Sequence, residues 1–269
     1  MAVVYALDFD GVICDSCGES SLSAFEAAKR QWPDLFQDER WNSMPEWLSQ
    51  KMFAVRPIVE TGYENVVLIR LLVEEQLKSE RSEIGSRPLT VGEILVNWQD
   101  IKEGLLEKYG ATKDELIELF GTTRDDWIRD DEKSWLAANR FYPGAVSAIN
   151  TATKPVFIIT TKQKRFAKAL LDHAGATDLP EENIFGLGSG SKVSVIKSLL
   201  ARPEYKGATV HFVEDRLETL QSASLSLLGA RVIYYLASWG YNTEAARREA
   251  DEDPQIELID LVQFEAKMQ

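Results

Sequence analysis

Two cysteines and two histidines are all that 269 residues hold, and several chemistries fall with that scarcity. Two thiols cannot build a disulfide framework, which points to a reducing compartment: the cytoplasm, or an organellar stroma or matrix if a transit peptide has been removed. His173 and His211 lie far apart without ligand spacing, which speaks against a zinc site and against a Ser-His-Asp triad. Basic residues are also short, 30 Lys and Arg against 43 Asp and Glu, for a formal charge of −13. An exterior of that sign repels phosphate backbones and anionic membrane surfaces, so neither nucleic acid nor membrane is an expected partner. No apolar run reaches the roughly 18 residues of a membrane-spanning helix. No secretory h-region and no Arg- and Ser-rich transit segment precede Asp8. The glycine-rich stretch Gly186-Leu187-Gly188-Ser189-Gly190 fits neither a hydrolase elbow nor a dinucleotide fingerprint.

What the chain does have is ordinary globular composition, 45% hydrophobic and 27% charged, and short apolar runs at wide intervals. Val3–Leu7, Pro155–Ile159, Thr209–Val213 and Arg231–Leu236 are continuous and rich in β-branched and aromatic residues, which predicts strands buried on both faces of a parallel sheet. Asn183–Gly186 is a weaker candidate. From residue 155 onward, helical spacing separates these runs: Phe166, Leu170 and Leu171; then Val195, Ile196, Leu199 and Leu200; then Leu217, Leu220, Leu225 and Leu228. Such alternation predicts an α/β fold built on a doubly wound, Rossmann-like parallel sheet with right-handed crossovers.

Between the first and second strands lie about 135 residues with no comparable strand, too many for a crossover loop in a compact domain. They predict a mainly α-helical domain over residues 18–138, inserted into a core made of 1–17 and 139–269. Its amphipathic stretches are Leu22–Arg30, Val66–Leu77, Val91–Tyr109 and Lys113–Phe120, and Arg81–Thr90 reads as its internal loop. Six of the seven tryptophans, at 32, 41, 47, 98, 127 and 135, fall inside it. They read as its own core, not as stacking platforms. Arg56, Tyr63 and Arg70 are its candidates for reaching an anionic substrate.

Three of the strand-like runs end in reactive side chains. The first leads into Asp8 and Asp10, followed by Gly11; the second into Thr160-Thr161-Lys162; a later one into Glu214-Asp215. The carboxyl ends of parallel strands share one edge, where ligands bind, so these residues should meet. Carboxylates gathered around one point repel unless a cation sits among them, and a hard oxygen site of this kind suits Mg²⁺. A carboxylate held there can attack phosphorus while its neighbour handles the proton. A threonine hydroxyl, backbone N–H groups at a helix start and a lysine would receive the phosphoryl charge. Taken singly, the same residues have plainer readings: Asp8 and Asp10 as a turn after a strand, Thr160 and Thr161 as β-formers, Asp215 as a helix N-cap.

Asp8-Phe9-Asp10-Gly11-Val12, Ile158-Ile159-Thr160-Thr161-Lys162, a lysine near residue 192 and Phe212-Val213-Glu214-Asp215 resemble, in order, the four motifs of the haloacid dehalogenase-like superfamily. Tyr142-Pro143-Gly144 and Trp239-Gly240-Tyr241-Asn242 resemble flanking features of its phosphoglycolate phosphatase-like branch. The resemblance covers the core and leaves the insertion unassigned. It implies Asp8 as nucleophile and metal ligand, and Asp10 as general acid/base with its backbone carbonyl on the metal. Thr160, with Thr161 beside it, would bind phosphate, Lys192 would restrain nucleophile and phosphate, and Asp215 would complete the metal site. The implied protein is a Mg²⁺-dependent phosphatase acting on a small phosphorylated metabolite through an aspartyl-phosphate, its helical insertion a mobile cap. An aspartate at position 10 disfavours a dehalogenase. A phosphomutase of the same fold, or a non-catalytic protein binding a phosphometabolite or a protein partner, is the alternative.

The chain departs from that pattern in three places. Glu214 stands where a glycine is usual, as either a second acidic metal ligand or an outward-pointing spacer. Thr219 stands where a further acid often follows, leaving Glu218 or nothing in that role. The third motif lacks its common Lys-Pro, so Lys192 competes with Lys197; Lys192 is preferred because it follows Gly188-Ser189-Gly190-Ser191 at a loop-to-helix junction. Lys162, Lys164 and Arg165 read as a solvated face. The Cys14-Asp15-Ser16-Cys17 pair has no partners for zinc, and Asp15 opposes thiolate formation, so neither a metal nor a redox role is expected.

Overall fold

In the computed structural model, which describes residues 2–81, 87–176 and 178–269, the chain begins with β1 (Val3–Leu7), β2 (Cys14–Asp15), α1 (Cys17–Gln31), α2 (Glu46–Val55), α3 (Tyr63–Glu80), α4 (Val91–Tyr109) and α5 (Lys113–Ala137). It continues with β3 (Arg140–Phe141), α6 (Ala145–Thr151), β4 (Val156–Ile159), α7 (Lys164–His173), β5 (Ile184–Phe185), α8 (Lys192–Leu200), β6 (Thr209–Glu214), α9 (Leu217–Ser226), β7 (Val232–Ala237), α10 (Glu244–Glu252), β8 (Ile256–Ile259) and α11 (Leu261–Met268). Two compact units result. One comprises the residues up to Ser16 together with Asn139–Gln269, the other Cys17–Ala138.

The first unit is organised by a six-stranded parallel sheet in the order β5-β4-β1-β6-β7-β8. Its strands are apolar because both faces are covered. Val4, Ala6, Phe157, Ile159, Val210, Phe212, Tyr234 and Leu236 join one cluster with Val195, Ile196 and Leu199 of α8 and Leu217, Leu220 and Ala223 of α9. The intervening residues Leu7, Ile158 and Val213 are equally buried, as alternation along a two-faced strand requires. The chain proceeds outward from β1 through β4 to β5, then returns to lay β6 on the other side of β1. Leu7 pairs with Ile158 on one side and with Val213 on the other. That reversal opens a crevice at the carboxyl ends of β1, β4 and β6, the place where open α/β sheets bind ligands.

Strand bounds differ from the expectation by a residue at several ends, and a strand is added. The sheet gains an edge strand, β8, only four residues long and interrupted by the exposed Glu257, so it lacks the continuous apolar run that marks its neighbours. The second predicted strand starts one residue late: Pro155 has no N–H to give a ladder, and its carbonyl accepts from Tyr5. Where the chain leaves the unit and re-enters it, β2 and β3 pair antiparallel, Cys14 with Phe141 and Asp15 with Arg140.

The second unit is helical throughout its described secondary structure. At its centre is α3, apolar on every side through Val66, Val67, Leu68, Ile69, Leu71, Leu72 and Val73, the pattern of a helix wrapped by others. Both α4 and α5 open with capping boxes, Thr90 with Glu93 and Thr112 with Glu115, satisfying N–H groups that a helix start leaves over. Trp32, Trp41, Trp98 and Trp135 are buried and Trp47 packs against the same core. The short helix α2 escaped the sequence reading. Of the loop expected over 81–90, residues 82–86 lie outside the described residues. Among the described residues, no helix is long and apolar enough to cross a membrane.

Candidate active site

Asp8 follows β1 directly, and its N–H continues the ladder to Val213 O at 3.0 Å. The chain then turns tightly: Ile13 and Cys14 N–H both donate to Phe9 O, and Gly11 N–H to Cys14 O. Gly11 has φ +84°, and a Cβ there would lie 1.9 Å from Asp215 Oδ2, so both conformation and space demand glycine. The same turn brings the buried Ser16 hydroxyl to donate to Asp10 Oδ1.

At the end of β4, the buried Thr160 donates its N–H to Phe185 O at 2.9 Å, while its Oγ1 accepts from Lys162 N–H at 3.1 Å. Thr161 is half-buried in the bend between them. Lys192 is the first residue of α8, after Ser191, whose hydroxyl caps the helix by accepting from Ser194 N–H. Its ammonium stands 3.0 Å from Asp8 Oδ1 and 2.5 Å from Glu214 Oε2. Lys197, its rival in the sequence, is exposed.

Glu214 ends β6 and Asp215 follows; they are 1% and 2% exposed. Tyr241 N–H donates to Asp215 Oδ2 at 2.7 Å, and Asn242 Nδ2 to Asp215 O at 3.0 Å. Gly240 comes so close that a Cβ would sit 2.3 Å from Asp215 Cβ and 2.5 Å from Gly11 O. The Trp239-Gly240-Tyr241-Asn242 segment also clamps the first loop, Trp239 Nε1 donating to Val12 O and Tyr241 OH to Asp15 Oδ1. Asp215 is not a helix cap: α9 has Arg216 at that position and no side-chain cap.

Asp8, Glu214 and Asp215, all buried, each offer an oxygen within 4.8 Å of the others. At an effective dielectric near 20, each such pair of charges repels by about 3–4 kcal/mol. Burial pushes the Glu214 carboxyl up to about 8; Lys192 opposes that rise, and Asp8 and Asp215 add to it. For Lys192, burial works against the ammonium, but Asp8 and Glu214 outweigh it and hold it above the usual lysine range. Asp8 Oδ1 is buried, with the Lys192 ammonium as its ion-pair partner. Asp8, Glu214 and Asp215 thus turn hard oxygen donors to one point, a donor set that fits a divalent cation such as Mg²⁺.

The structure brings Asp8, Asp10, Lys192, Glu214 and Asp215 to one place, with Thr160 joined to them through Lys162. Glu214 points inward and is no spacer. Glu218 is exposed and does not join the cluster. Lys162 corrects the sequence reading: it is 4% exposed, with its ammonium 3.0 Å from Asp10 Oδ1, whereas Lys164 and Arg165 do border solvent. Lys162 sits in the bend after β4, where a strand's alternation no longer fixes which way a side chain points, so no local signal placed it. Ser16 was missed too, as nothing local distinguishes it. Cys14 and Cys17 are both buried. In the helical unit, the substrate-contact candidates are taken up internally. Arg56 is buried and donates to Val59 O, Tyr63 lies in the core, and Arg70 pairs with Glu74 between the rings of Trp32 and Tyr109.

No family model and no curated protein matches the sequence. Solved structures do resemble it over its whole length. "A predicted phosphatase" from Clostridium acetobutylicum is 12% identical, with a TM-score of 0.55 over 100% of this chain and 98% of that one. A haloacid dehalogenase-like family hydrolase from Streptococcus pneumoniae is 14% identical, with a TM-score of 0.52 over 100% and 99%. "A predicted phosphoglycolate phosphatase" from Haemophilus somnus 129pt is 16% identical, with a TM-score of 0.57 over 99% and 97%. The chain therefore has the haloacid dehalogenase-like fold, a Rossmann-like parallel sheet with a helical insertion.

Proposed function

We propose that the protein is a phosphatase that hydrolyses a small phosphorylated metabolite through an aspartyl-phosphate on Asp8. The observation that carries this reading is the buried Asp8 carboxylate beside Lys192, at the strand ends that also supply Glu214 and Asp215, with Asp10 on the same loop. The phosphatases among the structures of this fold support it.

In this reading Asp8 is the nucleophile and Asp10 the general acid/base. Thr160 and Thr161 receive the phosphoryl oxygens, and Lys192 offsets charge on nucleophile and phosphate together. Asp8, Asp215, Glu214 and the Asp10 backbone carbonyl would hold Mg²⁺, which when bound supplies charge neutralisation for the nucleophile and the phosphoryl group. Lys192 orients Asp8, and burial keeps water from competing with it. The helical unit serves as the cap that selects the substrate.

The test is phosphate release from a panel of phosphorylated metabolites and p-nitrophenyl phosphate with Mg²⁺, followed by acid quenching of the working enzyme. A hydroxylamine-sensitive phosphoryl group on Asp8 is expected. Absence of turnover across the panel would overturn the reading.

A further inference from the structure

Lys162 is held more firmly than a surface lysine would be. Its N–H donates to Thr160 Oγ1, and its carbonyl accepts from Leu187 N–H at 2.9 Å. Gly186 approaches so closely that a Cβ would lie 2.8 Å from Lys162 O and 2.5 Å from Lys164 N. The bend carrying Lys162 is therefore braced by the ends of both β4 and β5. Its side chain is 1% exposed, and its ammonium lies 5.8 Å from the centre of the Phe9 ring. Ordering a lysine side chain opposes folding, and a buried ammonium persists only with a partner. That partner is Asp10 Oδ1, 3.0 Å away, the same oxygen that accepts from Ser16. Two donors from two different segments thus converge on one carboxylate oxygen and fix the rotation of the group.

Resting on the phosphatase reading, we infer that Lys162 is a positioning residue for Asp10. It holds that carboxyl group in the orientation in which it exchanges protons with substrate and water. In the first step an Asp8 oxygen bonds to phosphorus as the ester P–O bond breaks; the electron pair leaves with the ester oxygen, which takes a proton from Asp10. In the second, the oxygen of water bonds to phosphorus as the Asp8 O–P bond breaks, and a water proton returns to Asp10. A group that acts in both steps gains from being held in one place between them.

The experiment compares Lys162→Met and Lys162→Arg, each alone and combined with Asp10→Asn, in the full chain with Mg²⁺. The substrate is p-nitrophenyl phosphate, whose leaving group departs without a proton and keeps the Asp10→Asn rate measurable. Lys162→Met is expected to lower kcat at least about tenfold with KM within about threefold, and Lys162→Arg to recover part of that loss. In the Asp10→Asn background, Lys162→Met should lower kcat by less than about twofold, because residues acting through one another are not additive. Losses that multiply across the two positions, or an unchanged kcat in Lys162→Met, overturn the assignment. Should Lys162→Met fail to fold, Lys162→Arg decides by the same criterion, a kcat loss that vanishes in the Asp10→Asn background. Wild-type turnover with multiplying losses removes Lys162 alone, whereas no wild-type turnover removes the phosphatase reading and this assignment together.

Discussion

Both units bury charge, but in opposite ways. In the helical unit, Glu19 on α1 receives Arg124 of α5 through two bonds of 2.7 Å, together with Ser23 Oγ and Trp135 Nε1. Glu64 likewise receives Trp98 Nε1, with Lys102 at 3.4 Å. These buried acids are each met by donors and a cation, so they hold helices together and require nothing from outside. In the sheet unit, Asp8, Glu214 and Asp215 bring carboxyl oxygens within 4.8 Å of one another, and Lys192 lies beside two of them. Carboxylates buried that close together repel one another. Strain of that kind persists where something else is to be bound. Buried charge, then, says little about function; whether it is satisfied says much.

The contrast can be broken from either side. Asp8→Asn should reduce phosphate release from p-nitrophenyl phosphate by at least about a thousand-fold, while circular dichroism and thermal unfolding stay near those of the parent; an unchanged rate would sink the mechanism. In the helical unit, Arg124→Met strands Glu19 without its guanidinium and should destabilise the chain by about 3–5 kcal/mol in urea unfolding. Restoring neutrality with Glu19→Gln in the same chain should recover most of that loss. Mg²⁺ at a hundred times its Kd should stabilise the protein by about 2.7 kcal/mol, read as a rise in Tm that EDTA reverses. Asp215→Asn should abolish the rise; an equal rise in that variant would remove Asp215 from the metal site. Smallest of all, Lys168→Ala breaks an exposed pair with Asp172 on α7, and should change stability by less than about 0.5 kcal/mol. Such a result marks the baseline for ion pairs that water already serves.

Much of the fold was legible because its signals are local. The first strand, β4, β6 and β7 announce themselves as apolar runs, since a strand covered on both faces has no polar positions to interrupt it. The helical insertion is visible as a gap too long to be a loop. The edge strand β8 was not, because it is only four residues long and the exposed Glu257 interrupts its apolar run. In the site, Asp8, Asp10, Thr160 and Asp215 stand at strand ends, where the sheet's own geometry brings them together. Lys162 and Ser16 depend on how two loops turn, and nothing near them in the chain reports that.

By itself the sequence determined which segments pair into the parallel sheet, which stretch is set apart as helices, and that the carboxylates at the strand ends share one edge. Burial patterns and strand polarity carry that information residue by residue. Only the tertiary structure decided the state of each charge. It turned Glu214 inward onto Lys192, left Lys197 and Glu218 in solvent, and drew Lys162 onto Asp10. Those outcomes follow from side-chain direction and from contacts between separate segments, 22 residues apart for Lys192 and Glu214 and far more for Lys162 and Asp10, and electrostatic energy depends on separation in space, not along the sequence.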